Sequence, residues 1–305
     1  MSLQQTINTF YSKLLSDKVK RNSEKVILTV AIAGFLVHLL LIYLVEFKLL
    51  LFDTTPELLT SPIVAVYTPF SFILVYEVYL LVYYLPRSIT TYIRKQYEII
   101  SLIIIRRLFK DLASLKLTSD WFEIQYDLQF TYDIVASMLL FFLVYVFHLE
   151  SQKRFGNEKE DERMSEGINR FINFKKGLAV LLVPLLAGIA AYTFFNWAIS
   201  SLNPGTQPDV SFKNINNIFF DEFFTILIII DVVLLLLSFF YTDKFHKVIR
   251  NSGFIISTIL IRISFSVEGL INTLLIIAAI AFGVIILIVH NKFEKNILSE
   301  EENFI

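Results

Sequence analysis

Six apolar blocks, residues 26–47, 62–85, 131–149, 177–200, 222–241 and 268–290, dominate this chain of 305 residues. A membrane-crossing helix needs roughly 20 consecutive apolar residues, because its backbone must satisfy its own hydrogen bonds where no water is present. Each block approaches or exceeds that length. The cost falls on charge: Asp, Glu, Lys and Arg make up 18% of the chain, against about a quarter in an ordinary soluble domain. Mean hydropathy is +0.63. The pattern predicts an all-α integral membrane protein.

Two further segments are shorter and interrupted by arginine: 96–116 and 248–265. They decide between six and eight spans. Lys and Arg concentrate in short cytoplasmic loops. With eight spans, 20 of the 27 Lys and Arg fall inside, 4 outside and 3 within the membrane. With six spans the segment 153–176 flips outward and the split weakens to 15 against 12. Eight transmembrane helices with both termini cytoplasmic are therefore expected. Residues 1–24 are polar and carry no apolar stretch ending in a small-residue cleavage site, so no removable signal is expected, and the first span serves for insertion.

The two arginine-containing segments resemble each other. Ile99-Ile100-Ser101-Leu102-Ile103-Ile104-Ile105-Arg106 aligns with Ile255-Ile256-Ser257-Thr258-Ile259-Leu260-Ile261-Arg262, and Phe109 falls against Phe265. Apolar runs match readily by chance, whereas a shared serine and arginine do not. Glu77 and Asp231 lie upstream at nearly the same offset, and His148 and His290 close the two halves. The expectation is two tandem four-helix repeats, residues 1–155 and 174–305, joined by a charged cytoplasmic linker, 156–173. The second repeat lacks an equivalent of residues 117–130 and turns instead at Ser266-Val267.

Ionisable groups at bilayer depth are costly and mark either structural pairs or polar routes. Glu77 and Arg106 are predicted to sit roughly 13 and 16 Å from the cytoplasmic side at 1.5 Å rise per residue. Asp231 and Arg262 are predicted at roughly 20 and 18 Å. Sequential antiparallel helices pack together, so Glu77–Arg106 and Asp231–Arg262 are the expected charge pairs. They read either as clamps that fix helix register or as the lining of an ion route. Ser101, Ser257, Thr258 and Ser264 add hydroxyls, expected to bond back to their own helices. The stripe Tyr76, Tyr79, Tyr83 reads as packing, as do His38 in the first span and a kink at Pro184. His148, His246 and His290 are placed to gather at the cytoplasmic face, without metal-ligand spacing. Asn196 and Trp197 suit an interfacial anchor, and Asp120, Glu123 and Asp127 form an acidic outer loop.

Several functions are disfavoured. With no cysteine there is no disulfide, thiolate metal site or Cys nucleophile. No GxSxG, HExxH or Gly-rich phosphate loop is present, so no enzyme and no cofactor are expected. No Arg-x-x-Arg ladder exists, and steep voltage sensing needs several charges crossing the field. Net charge is −1, which offers nothing to nucleic acid. The expectation is a multi-pass protein of the cell inner (plasma) membrane, a small ion or proton channel or transporter using its acid–Arg pairs. The alternative is a non-conducting membrane subunit that scaffolds or signals to partner proteins. Expected partners are the lipid bilayer and an inorganic ion or proton, with a homo-oligomer or protein partner compatible with either reading.

Overall fold

A computed structural model describes residues 3–49, 59, 62–112, 125–153, 162–202, 212–240, 244–267 and 269–303. Every regular element among the described residues is helical. In chain order these are α1 (Leu3–Leu14), α2 (Asp17–Glu46), α3 (Tyr67–Tyr84, after a 3-10 turn at Pro62–Val66), α4 (Ile89–Leu112) and α5 (Gln125–Gln152). They continue as α6 (Glu162–Leu202), α7 (Phe212–Phe239), α8 (Phe245–Ser264) and α9 (Leu270–Asn303). Four stretches are long and apolar enough to cross a membrane: Gln4–Glu46, Leu128–Gln152, Asn169–Ile189 and Leu270–Ile297. Thr68–Tyr84 and Phe223–Phe239 are shorter apolar helices.

Local chemistry sets the breaks. Ser16 takes an extended conformation between α1 and α2, and its hydroxyl accepts the Val19 N–H at 3.3 Å, satisfying one of the free donors that open a helix. Pro86 follows α3, where it has no N–H to continue the ladder. Ser88 Oγ then accepts the Thr91 N–H at 3.2 Å, a side-chain cap at the start of α4. Between α8 and α9 the chain turns through Gly269, whose φ of +74° is a conformation that side-chain-bearing residues resist. The linker expected over 156–173 is in part regular: α6 begins at Glu162 and runs without interruption into the apolar stretch, carrying Pro184 inside it. The charges at its start do not oppose helix, since Glu, Arg and Met are good helix formers.

The helices form a bundle with α4 and α8 near its middle. α4 packs against α3, α5 and α8, and α8 packs against α7, α9 and α4. α5 also packs on α9, and α6 on α1 and α3. An aromatic cluster knits the centre: the rings of Tyr97 (α4) and Phe147 (α5) meet edge-on at 4.9 Å, and Phe147 meets Phe254 (α8) at 5.5 Å. α8 is inside-out by the standard of water. Its buried face holds Asn251, Ser257, Thr258, Arg262 and Ser264, while Ile249, Ile256, Leu260 and Ile263 point outward. On α2, Val26, Leu28, Val30, Ile32, Leu36, Val37 and Leu40 are likewise exposed. Apolar surface of this extent, wrapped around a partly polar interior, suits hydrocarbon rather than water.

Candidate functional site

Asp231 and Arg262 meet in the interior. Arg262 Nη2 lies 2.7 Å from Asp231 Oδ2, and the two side chains are 3% and 0% exposed. Both belong to the C-terminal part of the chain, on α7 and α8, yet α4 completes the site. Tyr92 Oη donates to Asp231 Oδ1 at 3.1 Å, and Arg262 Nη2 also donates to Gln96 Oε1 at 3.2 Å. Thr258 Oγ1, whose closer acceptor is its own helix's Ile255 carbonyl at 2.9 Å, reaches Asp231 Oδ2 at 3.4 Å. The carboxylate therefore has an ion pair and the Tyr92 hydroxyl, with the Thr258 oxygen at the edge of reach. Arg262 Nη1 and Gln96 Nε2, buried beside it, have no hydrogen-bond partner in the protein.

The structure leaves the other expected pair, Glu77 with Arg106, untested. Glu77 is buried on α3, but the side chain of Arg106 lies outside the described residues, so that contact is not located. Its neighbour Arg107 forms the second ion pair. Arg107 Nη2 lies 2.7 Å from Asp133 Oδ1 on α5 and 2.7 Å from Thr273 Oγ1 on α9, while Nη1 donates to Asn272 Oδ1 at 2.5 Å. Thr273 donates to Asp133 Oδ1 at 2.8 Å, and Gln129 Nε2 does so at 3.1 Å. Asn272 Nδ2 in turn donates to the Ser264 carbonyl at the end of α8, at 2.6 Å. Asp133 Oδ2 and Arg107 Nε have no hydrogen-bond partner in the protein.

Between the two sites Tyr97 crosses from α4 to α8. Its hydroxyl lies 2.6 Å from Ser257 Oγ, and Ser257 Oγ donates to the Ala279 carbonyl on α9 at 2.6 Å. Since the serine proton is directed to that carbonyl, Tyr97 is the donor to Ser257. α4 thus places Tyr92, Gln96, Tyr97 and Arg107 against polar groups of α7, α8 and α9. From Tyr92 to Arg107 is roughly 22 Å of helix at 1.5 Å rise per residue, most of a hydrocarbon core of roughly 30 Å.

The remaining candidates separate. Ser101 and Ser264 bond back to the carbonyls of Tyr97 and Ile261, as expected of hydroxyls in apolar helices. The tyrosine stripe faces the start of α2: Tyr76 donates to Glu24 Oε2 and Tyr79 to the Leu14 carbonyl, each at 3.1 Å, and Tyr83 to Asp17. His38 Nδ1 lies 2.5 Å from Thr68 Oγ1, a contact between α2 and α3. His246 and His290 stack at 5.2 Å, while His148 stands apart with Gln152. Among the described residues no group of three or more His, Asp and Glu could hold a metal ion. Asp120 and Glu123 and the side chains of Asp127, Asn196 and Trp197 lie outside the described residues.

Sequence reasoning missed Asp133, Arg107, Gln96 and Tyr92, and it missed Lys175 of α6, a buried lysine donating to the Arg87 carbonyl at 2.5 Å. A usable signal existed for the second pair. Adjacent helical residues point about 100° apart, so Arg106 and Arg107 cannot share one acid, and Asp133 is the acid that interrupts the next apolar block. No protein-family model, curated protein or solved structure matches the chain.

Proposed function

We propose that this multi-pass membrane protein moves a small ion or protons along the polar seam between α4 and the helices α7, α8 and α9. One observation carries the reading: the buried Asp231–Arg262 pair is joined by Tyr92 and Gln96 from α4, and the same helix carries two further polar contacts, Tyr97 with Ser257 and Arg107 with Asp133. A clamp that only fixed register would need its own pair satisfied and nothing more. Here Arg262 Nη1, Gln96 Nε2, Arg107 Nε and Asp133 Oδ2 are buried and unmatched by protein groups. Polar atoms in an apolar interior are matched by water or ions, which are also what a conducting seam contains.

The same reading takes eight spans, with α4 and α8 as full crossings and both termini cytoplasmic. Their central positions support it, because helices that carry arginine are tolerated at bilayer depth when neighbours surround them. Two tandem four-helix repeats are part of the proposal. The packing of α4 on α8 and of α5 on α9 supports them, since equivalent helices of a parallel duplication meet around its axis. The plasma membrane is the proposed compartment.

Purified protein in liposomes loaded with an ion- or pH-sensitive dye tests the proposal. Flux above that of empty vesicles, abolished by Asp231→Asn, is expected. Vesicles as tight as protein-free controls, under ion gradients of either direction, overturn it and favour the non-conducting subunit.

A further inference from the structure

Five basic residues, Lys13, Lys18, Lys20, Arg21 and Lys25, precede the first apolar block, against two acids, Asp17 and Glu24. The fold sorts them by face. Lys20 Nζ donates to Tyr84 Oη at 2.9 Å, and Glu24 Oε2 accepts from Tyr76 Oη at 3.1 Å. Asp17 accepts from Tyr83 and lies 3.8 Å from Arg87 Nη2. Both acids and one lysine are thus turned toward α3, on the face of α2 that goes on to bury Ala31 and Ile42.

Lys18, Arg21 and Lys25 stand on a different face, at i, i+3 and i+7, and all three are exposed. Arg21 feels the charge of Asp17 without closing an ion pair on it. Spaced this way, three like charges repel one another along the helix unless an anion from outside the protein lies beside them. The same face continues through Ile32, Leu36 and Tyr43, which are 61%, 57% and 42% exposed. α2 belongs to a stretch long and apolar enough to cross a membrane, so one continuous face runs from cationic to apolar.

The dimensions match a lipid. Lys25 and Arg21 come roughly 5 and 10 Å before Leu28, the first exposed leucine of the block, at 1.5 Å rise per residue. A headgroup layer is roughly 5–8 Å deep on each side of the hydrocarbon, and long basic side chains bend several ångströms toward it. Lys18, roughly 15 Å before Leu28, stays within about one screening length of that layer.

We propose that this face of α2 binds anionic phospholipid selectively, with Lys18, Arg21 and Lys25 drawing the phosphate and Ile32, Leu36 and Tyr43 against the acyl chains. The site is independent of whether the seam conducts.

Electron spin resonance tests it on the full chain in phosphatidylcholine vesicles. Trace phosphatidylglycerol or phosphatidylcholine, spin-labelled on the acyl chain, reports which headgroup the protein surface prefers. A several-fold preference for phosphatidylglycerol is expected, shrinking in 1 M salt, where screening falls to about 3 Å. The triple variant Lys18→Gln, Arg21→Gln, Lys25→Gln keeps good helix formers at exposed positions and should lose more than half of that preference. Lys153→Gln with Lys292→Gln and Lys295→Gln removes the same charge at the ends of α5 and α9 and should lose less. No preference in the natural chain, a preference that the α2 variant keeps in full, or an equal loss in the second variant overturns the proposal.

Discussion

The hydroxyl of Tyr97 fills the space that a side chain at Gly283 would occupy: a Cβ built there overlaps the phenol oxygen and comes 3.2 Å from Ser257 Oγ. α4, α8 and α9 therefore meet at one point, and glycine is what permits the approach.

Gly283→Ala should destabilise the protein by about 1–3 kcal/mol, the usual cost of overpacking, because Tyr97 must leave Ser257 to make room. Tyr97→Phe keeps the ring on Phe147 and loses one hydrogen bond, for about 0.5–1.5 kcal/mol. Combining the two should cost less than their sum, since the phenylalanine removes the atom that the alanine strikes. Unfolding midpoints in detergent for the four proteins check this, and strict additivity would contradict the geometry.

Asp231→Asn leaves Arg262 as a buried cation without its counter-charge, and the expected loss is roughly 3–5 kcal/mol if the site is dry. Water entering along the seam would reduce it. Denaturant titration of the variant, beside Asp231→Leu with Arg262→Leu, separates the cases. Full recovery in the double variant points to a clamp, and a small loss in Asp231→Asn points to a hydrated seam.

At the second pair the same change should cost less. Arg107 keeps Asn272 and Thr273 when Asp133→Asn removes its acid, and its side chain is 24% exposed rather than buried. A loss of about 1–2 kcal/mol is expected, discounted for that exposure. A penalty equal to that of Asp231→Asn would show that the two sites share one environment.

The eight-span topology is open to labelling, since the chain contains no cysteine to interfere. A cysteine replacing Asn157 should react with an impermeant maleimide in inverted vesicles and not in intact cells. Labelling in intact cells would place the segment between α5 and α6 outside and leave six spans.

The helical architecture was legible because a bilayer writes itself into sequence as long apolar blocks, and the blocks at 26–47, 131–149 and 268–290 overlap α2, α5 and α9. Asp231 with Arg262 was legible too, because neighbours along an antiparallel bundle must touch and each charge needs an opposite. Tyr92 and Gln96 were not. Their contacts to Asp231 and Arg262 span 139 and 166 residues, and nothing in a periodic pattern says which distant helix will lie alongside. Asp133 was passed over because a single acid near the end of an apolar block looks like an edge residue until its partners on α4 and α9 are known. The helical start of α6 was obscured for another reason: its charges read as a linker, although Glu, Arg and Lys form helices as readily as Leu or Met does.

The inside-out face of α8 constrains how the chain is built. On insertion scales an arginine near the centre of a lone helix is disfavoured by about 2.5–3.5 kcal/mol, so a segment carrying Arg262 among Ser257, Thr258 and Ser264 partitions poorly by itself. By the time the ribosome delivers it, however, Tyr92, Gln96 and Asp231 have all been synthesised. In the eight-span reading proposed above, α8 would enter a mould already cast by earlier helices, and its arginine would be received by groups waiting for it rather than by lipid. A nascent chain stopped before residue 245 holds the acid and its tyrosine without the arginine that pairs with them in the finished bundle.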